Sequence, residues 1–325
     1  MNINQLKINS MKTKQLKLFL ATAIAVSSLF LFACTGKKQA NNQVTTVKIG
    51  YLPITHALPL LVAAELQQET DGVRIELVKF GSWTELSDAL NTGRIDGASV
   101  LVQLAMKSKE IGIGLKAVAL GHTDGNVITV AKDINSAADL KGKTFAIPHR
   151  QSSHYLLLKQ MLANAGVDIN DINIIELPPP DMPFALSSGQ VAGYCVAEPF
   201  GAKAVELGVG KALFESEELW EHSLCCVLVL GDKFIDNNRD AAGKFTALYK
   251  KSGKYIDENK DSVFELTRKY LNISKEVYDI SLRWIAYGDL AISREYYDDL
   301  VRRVKEAKLS ENPPAYEGFI DPTLY

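Results

Sequence analysis

The chain has little of what usually announces chemistry. Four of its 325 residues are cysteine and five are histidine. The cysteines are Cys34, Cys195, Cys225 and Cys226, with no Cys-x-x-Cys among them and no His/Cys run at zinc-ligand spacing. That excludes a redox dithiol motif and a zinc ribbon. Cys225 and Cys226 are adjacent and cannot easily bridge each other. They stand in the apolar run "LCCVLVLG" and read as small strand residues facing a core, not as redox or metal groups. The histidines are His56, His122, His149, His154 and His222. No two stand three or four residues apart, so no pair shares a helix face. G-x-S-x-G, a P-loop, H-E-x-x-H and a G-x-G-x-x-G after a strand are all missing. With no nucleophile, no paired acid and base and no metal set, the chain reads as a non-enzyme without a cofactor. Excess charge is missing too: 36 basic residues face 38 acidic ones, for a net of −2. No basic stripe breaks that balance, which excludes nucleic acid as a partner.

Long apolar runs are equally scarce. One stands out, Leu18 to Ala33, after a basic lead of Lys7, Lys12, Lys14 and Lys17. It is short for a membrane span and reads as the h-region of a signal peptide. It ends in "LFAC", which resembles the bacterial lipobox, with Cys34 as the lipidated new N-terminus. Residues 1–33 are therefore read as a lipoprotein signal peptide and 34–45 as a polar tether. The lead carries four lysines and no acids, so its removal takes the net charge from −2 to −6. The expectation is an exported protein, lipid-anchored on the periplasmic or extracellular face of a bacterial membrane.

What the chain does have is alternation. "VTTVKIGYL" reads as a strand, "ALPLLVAAELQQ" as a helix, "VRIELVKF" as a strand and "WTELSDALNTG" as a helix. The pattern continues through "IDGASV", "LVQLAMKSKE", "GLKAVAL", "NVITVAK", "KTFAIP", "SHYLLLKQMLANAG", "INIIEL", "AGYCVA" and "CCVLVLG". Such alternation predicts an α/β fold of mostly parallel sheets covered by helices. After about Asp240 only helical spacing remains. Two segments, 125–133 and 225–234, are candidate crossings between lobes. The predicted organisation is a discontinuous first lobe, 46–130 plus 231–325, and a second lobe, 131–230.

Polar and aromatic residues gather where strands give way to helices. "PITHALP" places Thr55 and His56 there, "FGSWTEL" Ser82 and Trp83, "QSSHY" Ser152, Ser153 and His154, and "VAEPF" Glu198. Gln103 is a polar interruption in the apolar "VLVQLAM". In open α/β sheets ligands bind beyond the carboxyl ends of strands, and helix N-termini favour anions. Each residue also has a local explanation. Thr55, Ser82, Ser152 and Ser153 suit helix caps, Trp83 suits a core edge, His154 a surface position, Glu198 a helix start and Gln103 a satisfied buried amide.

Four stretches decide between these accounts: "IGYLPITHALPLLVAAE", "FGSWTELSDALNTGRIDGASV", "IPHRQSSHYLLLKQMLANAGV" and "ELPPPDMPFALSSGQVAGYCVAEPF". They resemble the substrate-binding proteins of nitrate/sulfonate/taurine/bicarbonate-type ABC importers, a group that also holds thiamine-pyrimidine-precursor binding proteins. The resemblance covers roughly residues 47–235. It implies a two-lobed periplasmic-binding-protein type II fold with a helical C-terminal tail. It also implies a monomeric solute receptor with an ABC permease and its ATPase as partners. Trp83 matches a Trp and His154 a His of the nitrate-branch ligand shell, and Gln103 matches a Gln more loosely. The lysine expected downstream is missing from "LWEHSLCC": His222 is kept, but Leu224 and Cys225 stand where the acid and the lysine would be. A bare anion without a cation is costly to bury. The implied solute is then a larger anion of sulfonate type, held by helix N-termini, Trp83 and His154. Two alternatives remain open. One is a thiamine-pyrimidine precursor or other heteroaromatic stacked on Trp83. The other is a pyrimidine-synthase-like enzyme, which would need iron and a longer cysteine motif.

Overall fold

The computed structural model describes residues 44–68 and 72–325. The expected signal peptide, Cys34 and the tether through residue 43 lie outside the described residues. No helix among the described residues is long and apolar enough to cross a membrane.

The first sheet contains β1 (Thr45–Tyr51), β2 (Val73–Lys79), β3 (Gly97–Leu101), β4 (Leu115–Leu120) and β11 (Cys226–Gly231), in the order β2-β1-β3-β11-β4. The second contains β6 (Asn126–Val130), β7 (Thr144–Ile147), β8 (Asn173–Glu176), β9 (Gly193–Ala197) and β10 (Lys211–Glu215), in the order β10-β6-β9-β7-β8. β1 lies parallel to β2 and β3, while β11 runs antiparallel to both β3 and β4. β6 plays the same part in the second sheet, antiparallel to β9 and β10. Each sheet therefore has four strands in one direction and one reversed. The α/β class predicted from alternation is what the chain forms, and "KALFE" supplies β10, a strand the periodicity did not reveal.

The boundaries differ from the expected ones. β6 belongs wholly to the second sheet and β11 wholly to the first. The chain therefore changes sheets earlier than expected, between Leu120 and Asn126 on the way out and between Glu215 and Cys226 on the way back. The reason is apolar density: every residue of β6 is buried, so it seats as an inner strand, not as a connector. The outward crossing is turned by Asp124 and Gly125, both at positive φ, 58° and 81°. It is also stapled by the tail, because β12 (Ile285–Ala286) pairs with β5 (Thr123–Asp124).

Local chemistry sets the helix starts. Ser82 accepts a bond from the Glu85 N–H at 3.3 Å and caps helix Trp83–Asn91. Ser152 accepts from the Tyr155 N–H at 3.2 Å and caps helix Ser153–Asn164. Each satisfies a donor that the first helical turn leaves free. The tail helices Arg239–Glu258 and Lys260–Leu271 pack on helix Leu58–Leu66 of the first lobe, whereas Lys275–Ser281 packs on Phe200–Glu206 of the second. Buried tail tyrosines bond backbone of the body: Tyr249 donates to the Leu120 carbonyl at 3.1 Å and Tyr287 to the Thr55 carbonyl at 2.8 Å.

Close backbone approach dictates Gly97. A Cβ there would lie 2.3 Å from the Val229 carbonyl oxygen of β11, a backbone atom that cannot swing aside. Gly97→Ala should cost about 3 kcal/mol, read as a lower urea midpoint at unchanged slope. A parent-like midpoint would mean that β3 and β11 are less tightly apposed than described.

Candidate functional site

Because β11 runs against its neighbours, its start lies beside the ends of β3 and β4: Cys226 is paired with Leu101, and Val227 with Leu120. The carboxyl ends of β1, β3 and β4 thus share one edge with the amino end of β11. From β1 the chain enters the short turn Thr55–Ala57, which carries His56. Gln103 follows β3, His122 follows β4, and Cys225 precedes β11. The second lobe brings the start of helix Ser153–Asn164, placing Ser153 and His154 at the same edge. All of these side chains are buried, with His56, Ser153, His154, Cys225 and Cys226 at 0% exposure.

The centre is a cluster of imidazoles and thiols. The rings of His56 and His122 have centroids 3.6 Å apart at a 39° tilt. Nδ1 of His56 lies 3.6 Å from Sγ of Cys226 and 3.8 Å from Sγ of Cys225, and the two sulfurs are 3.8 Å apart. The thiols are free, not bridged. One donor atom each from His56, His122, Cys225 and Cys226 lies within 4.8 Å of all the others. Nε2 of His56 is 2.9 Å from the Gly125 carbonyl oxygen. A carbonyl only accepts, so Nε2 carries the proton, and in the neutral ring the Nδ1 lone pair faces both sulfurs.

Burial sets the charge of this cluster. It pushes His122 and His154 down to about 4, so both imidazoles are neutral at physiological pH. It also resists ionisation of both thiols. For Cys225 that resistance is outweighed by its contact with Cys226 and by the surrounding imidazoles, which hold it well below the ordinary thiol range. Burial and the Cys225 charge push Cys226 up instead. Among the described residues no lysine or arginine bonds to any of these side chains.

Around the cluster runs a latch. Nε2 of Gln103 donates to Oγ of Ser153 at 2.7 Å, and Ser153 donates to the Leu224 carbonyl. This chain joins the helix after β3, the second lobe and the approach to β11. Several buried polar atoms here make no hydrogen bond of good geometry: Oε1 of Gln103, Nδ2 of Asn126 and the ring nitrogens of His122 and of His154; elsewhere in the molecule Nε1 of Trp83 is in the same condition.

The residues nominated from sequence divide into three groups. His56, Gln103, Ser153 and His154 meet at the cluster. Ser82 and Ser152 act as helix caps, and Ser82 and Trp83 border a cavity of about 170 Å³ whose other wall includes His149 and Glu176 of the second lobe. Thr55 and Glu198 form a tie beneath. The Thr55 N–H and hydroxyl both donate to the Glu198 carbonyl, at 2.9 and 3.0 Å. The Glu198 carboxylate accepts from the Ala202 N–H at 3.0 Å and from the Ser281 hydroxyl at 2.9 Å. Gly201 makes room for it, since a Cβ there would sit 2.4 Å from Oε1. The sequence reading did not nominate His122 and assigned Cys225 and Cys226 to a core. Their signal was position: His122 stands just beyond a strand's carboxyl end, where ligands bind in such sheets.

The fold and this closed edge define a periplasmic-binding-protein architecture: two α/β lobes, crossing strands and a buried polar site where the lobes meet. Residues 40–267 match the NMT1-like family, and the chain belongs to it. The ligand-binding component of an ABC-type import system from Staphylococcus aureus, solved with zinc bound, superposes with a TM-score of 0.82 at 41% identity, over 86% of this chain and 98% of that one. The alkanesulfonate-binding protein SsuA from Xanthomonas axonopodis pv. citri, bound to MOPS, shares the fold at TM-score 0.73 and 19% identity, over 85% and 98% of the two chains. The nitrate/nitrite binding protein NrtA of Nostoc sp. is 27% identical over 225 residues, 62% of this chain and 51% of that protein. The chain spans 30% to 52% of the length of such curated relatives.

Glu198 yields a test of the tie. Burial pushes its carboxyl up to about 8, against the opposing bonds from Ala202 and Ser281. In the unfolded chain it would titrate near ~4.3. The folded state thus holds the proton more tightly. The group's contribution to stability is full below the unfolded value and is lost as pH rises through about 8. Glu198→Gln, neutral at every pH, should gain on the parent between pH 5 and 8, by on the order of a few kcal/mol at the upper end. Parallel stability–pH curves for the two proteins would rule out a protonated buried carboxyl.

Proposed function

We propose that the chain is the solute-binding receptor of an ABC importer. It is exported and held to the membrane through lipidated Cys34. It captures a small solute between its two lobes and delivers it, as a monomer, to a permease and its ATPase. No reaction and no resident cofactor are assigned to it. The observation that carries the reading is the set of buried, unpartnered polar atoms contributed from both lobes, Trp83, Gln103, His122 and His154. Each such atom costs about 1–3 kcal/mol unless paired, so a solute that pairs with them rewards closure. The S. aureus relative, a ligand-binding component of an ABC-type import system, supports the same assignment.

The relatives named for nitrate and for alkanesulfonate support a small anion. In this reading an anion would rely on the Trp83 indole N–H and on imidazole N–H donors, with no cationic side chain bonded to them among the described residues. A heteroaromatic would use Trp83 as its platform. The zinc in the S. aureus relative supports adding late transition metals to the same screen.

A thermal-shift panel of nitrate, bicarbonate, taurine, alkanesulfonates, pyrimidines and zinc tests this. A true solute at a hundred times its dissociation constant should stabilise by about 2.7 kcal/mol. His154→Ala and Trp83→Ala should each weaken that solute by about tenfold or more, measured on protein whose native fold is first confirmed by circular dichroism. Unchanged affinity in both variants would place the solute elsewhere.

A further inference from the structure

Resting on the receptor reading, we infer that the solute held in this cleft is a thiophilic late transition metal ion, bound by Cys225, Cys226, His56 and His122. The first support is metric. A tetrahedral ion with Zn–S near 2.3 Å and Zn–N near 2.0 Å separates its sulfurs by about 3.8 Å and a sulfur from a nitrogen by about 3.5 Å. The two sulfurs lie 3.8 Å apart, and Nδ1 of His56 is 3.6 and 3.8 Å from them. His122 completes a four-donor set within 4.8 Å. The three distances among Cys225, Cys226 and His56 match the sulfur–sulfur and sulfur–nitrogen edges of a coordination tetrahedron. At 3.8 Å the two sulfurs are too far apart for a disulfide.

The second support is orientation. Metal-bound histidines usually donate their remote N–H to a carbonyl or carboxylate, which fixes the lone pair on the metal side. His56 does this toward Gly125 at 2.9 Å. His122 is buried, and neither ring nitrogen makes a hydrogen bond of good geometry beyond its contacts with Cys225 and the Asp124 backbone, a shortfall that a metal bond removes. Asn126 adds an outer contact, with Oδ1 3.4 Å from Sγ of Cys225 and Nδ2 unpartnered. Oxygen and nitrogen of an amide exchange by a simple flip, after which the amide donates to a bound thiolate.

The donor chemistry selects the ion. Two sulfurs and two imidazoles suit zinc or monovalent copper and not magnesium or calcium, which need oxygen. No carboxylate belongs to the set. Location argues for cargo, not for a structural ion. All four donors come from the first lobe's sheet edge, so capture does not need closure. The second lobe then covers the ion with His154 and the Gln103–Ser153 latch.

The test uses the full chain, stripped with a chelator and kept reduced. Cobalt(II) should bind one per chain, with thiolate-to-metal charge-transfer bands and the intense visible bands of tetrahedral coordination. Zinc should displace it, and zinc should protect Cys225 and Cys226 from alkylation in the unmutated protein. Cys225→Ser and Cys226→Ser should each abolish the charge-transfer signature or weaken zinc by more than about 100-fold, and His56→Ala should do likewise. His154→Ala should keep the cobalt spectrum but lose the compaction seen by small-angle scattering on zinc addition. If metal binding and alkylation rates are unchanged by these substitutions and by zinc, the inference is overturned. If no metal binds but an anion or heteroaromatic does, sensitive to His154→Ala, the metal inference falls and the receptor reading stands. If the chain binds nothing from either class, both fall.

Discussion

The reversed direction of β11 is the constraint from which the site follows. A parallel strand at that place would carry Cys225 and Cys226 to the opposite edge of the sheet. Run antiparallel, it lays its first residues beside the last residues of β3 and β4, with Cys226 paired to Leu101. Two cysteines adjacent in sequence then meet two histidines more than a hundred residues away. Gly121 lets the strands come this close, since a Cβ there would lie 2.9 Å from the His56 carbonyl and 3.2 Å from Cβ of Cys226. Gly97 allows the same approach lower in the sheet. Site geometry and sheet topology are therefore one fact.

The second consequence is electrical. Burial keeps the imidazoles of His122 and His154 neutral, and of the two thiols Cys225 is the one held on the acidic side. A site of this kind offers lone pairs from two sulfurs and two imidazoles, with no lysine or arginine bonded to them among the described residues. Donors of this type suit a cation that prefers sulfur and nitrogen better than a bare anion without a cationic partner. The Trp83 indole, whose N–H is buried without a partner, is a neutral donor that a polar organic ligand could use. Family membership alone does not choose between these, because one fold hosts many solutes and the choice lies in the side chains of the cleft.

Much of the fold was legible in the sequence because its signals are local. Strand alternation in "VTTVKIGYL" and "VRIELVKF", and the serine caps at Ser82 and Ser152, each depend on a few neighbouring residues. The lobe boundaries were less legible. "NVITVAK" and "CCVLVLG" look alike as apolar runs, and only three-dimensional pairing tells which sheet each one fills. The site was half legible. His56, Gln103, Ser153 and His154 stand where strands hand over to helices, and that rule needs no tertiary information. Cys225 and Cys226 did not announce themselves because spacing motifs describe ligands on one local segment. Here the set is assembled from three strand ends. His122 was hidden for the same reason.

The crossing between the lobes and the inner cluster share an atom group. The Gly125 carbonyl accepts from His56 at 2.9 Å and also from the Glu198 N–H at 3.3 Å. Gly125 sits in the outward crossing, held by the pairing of β5 with β12. Glu198 in turn holds Thr55, the neighbour of His56, and is itself held by Ser281 of the tail. The orientation of His56 is thus fixed by the first lobe through its turn, by the second through Glu198, and by the tail through Ser281 and β12. Any rotation of one lobe on the other must move the acceptor that keeps Nδ1 of His56 aimed at the sulfurs. Lobe position and donor geometry are therefore coupled through hydrogen bonds of ordinary strength, each worth about 1 kcal/mol net. Bonds of that size suit a receptor, which must hold its solute when closed and release it when the lobes are drawn apart.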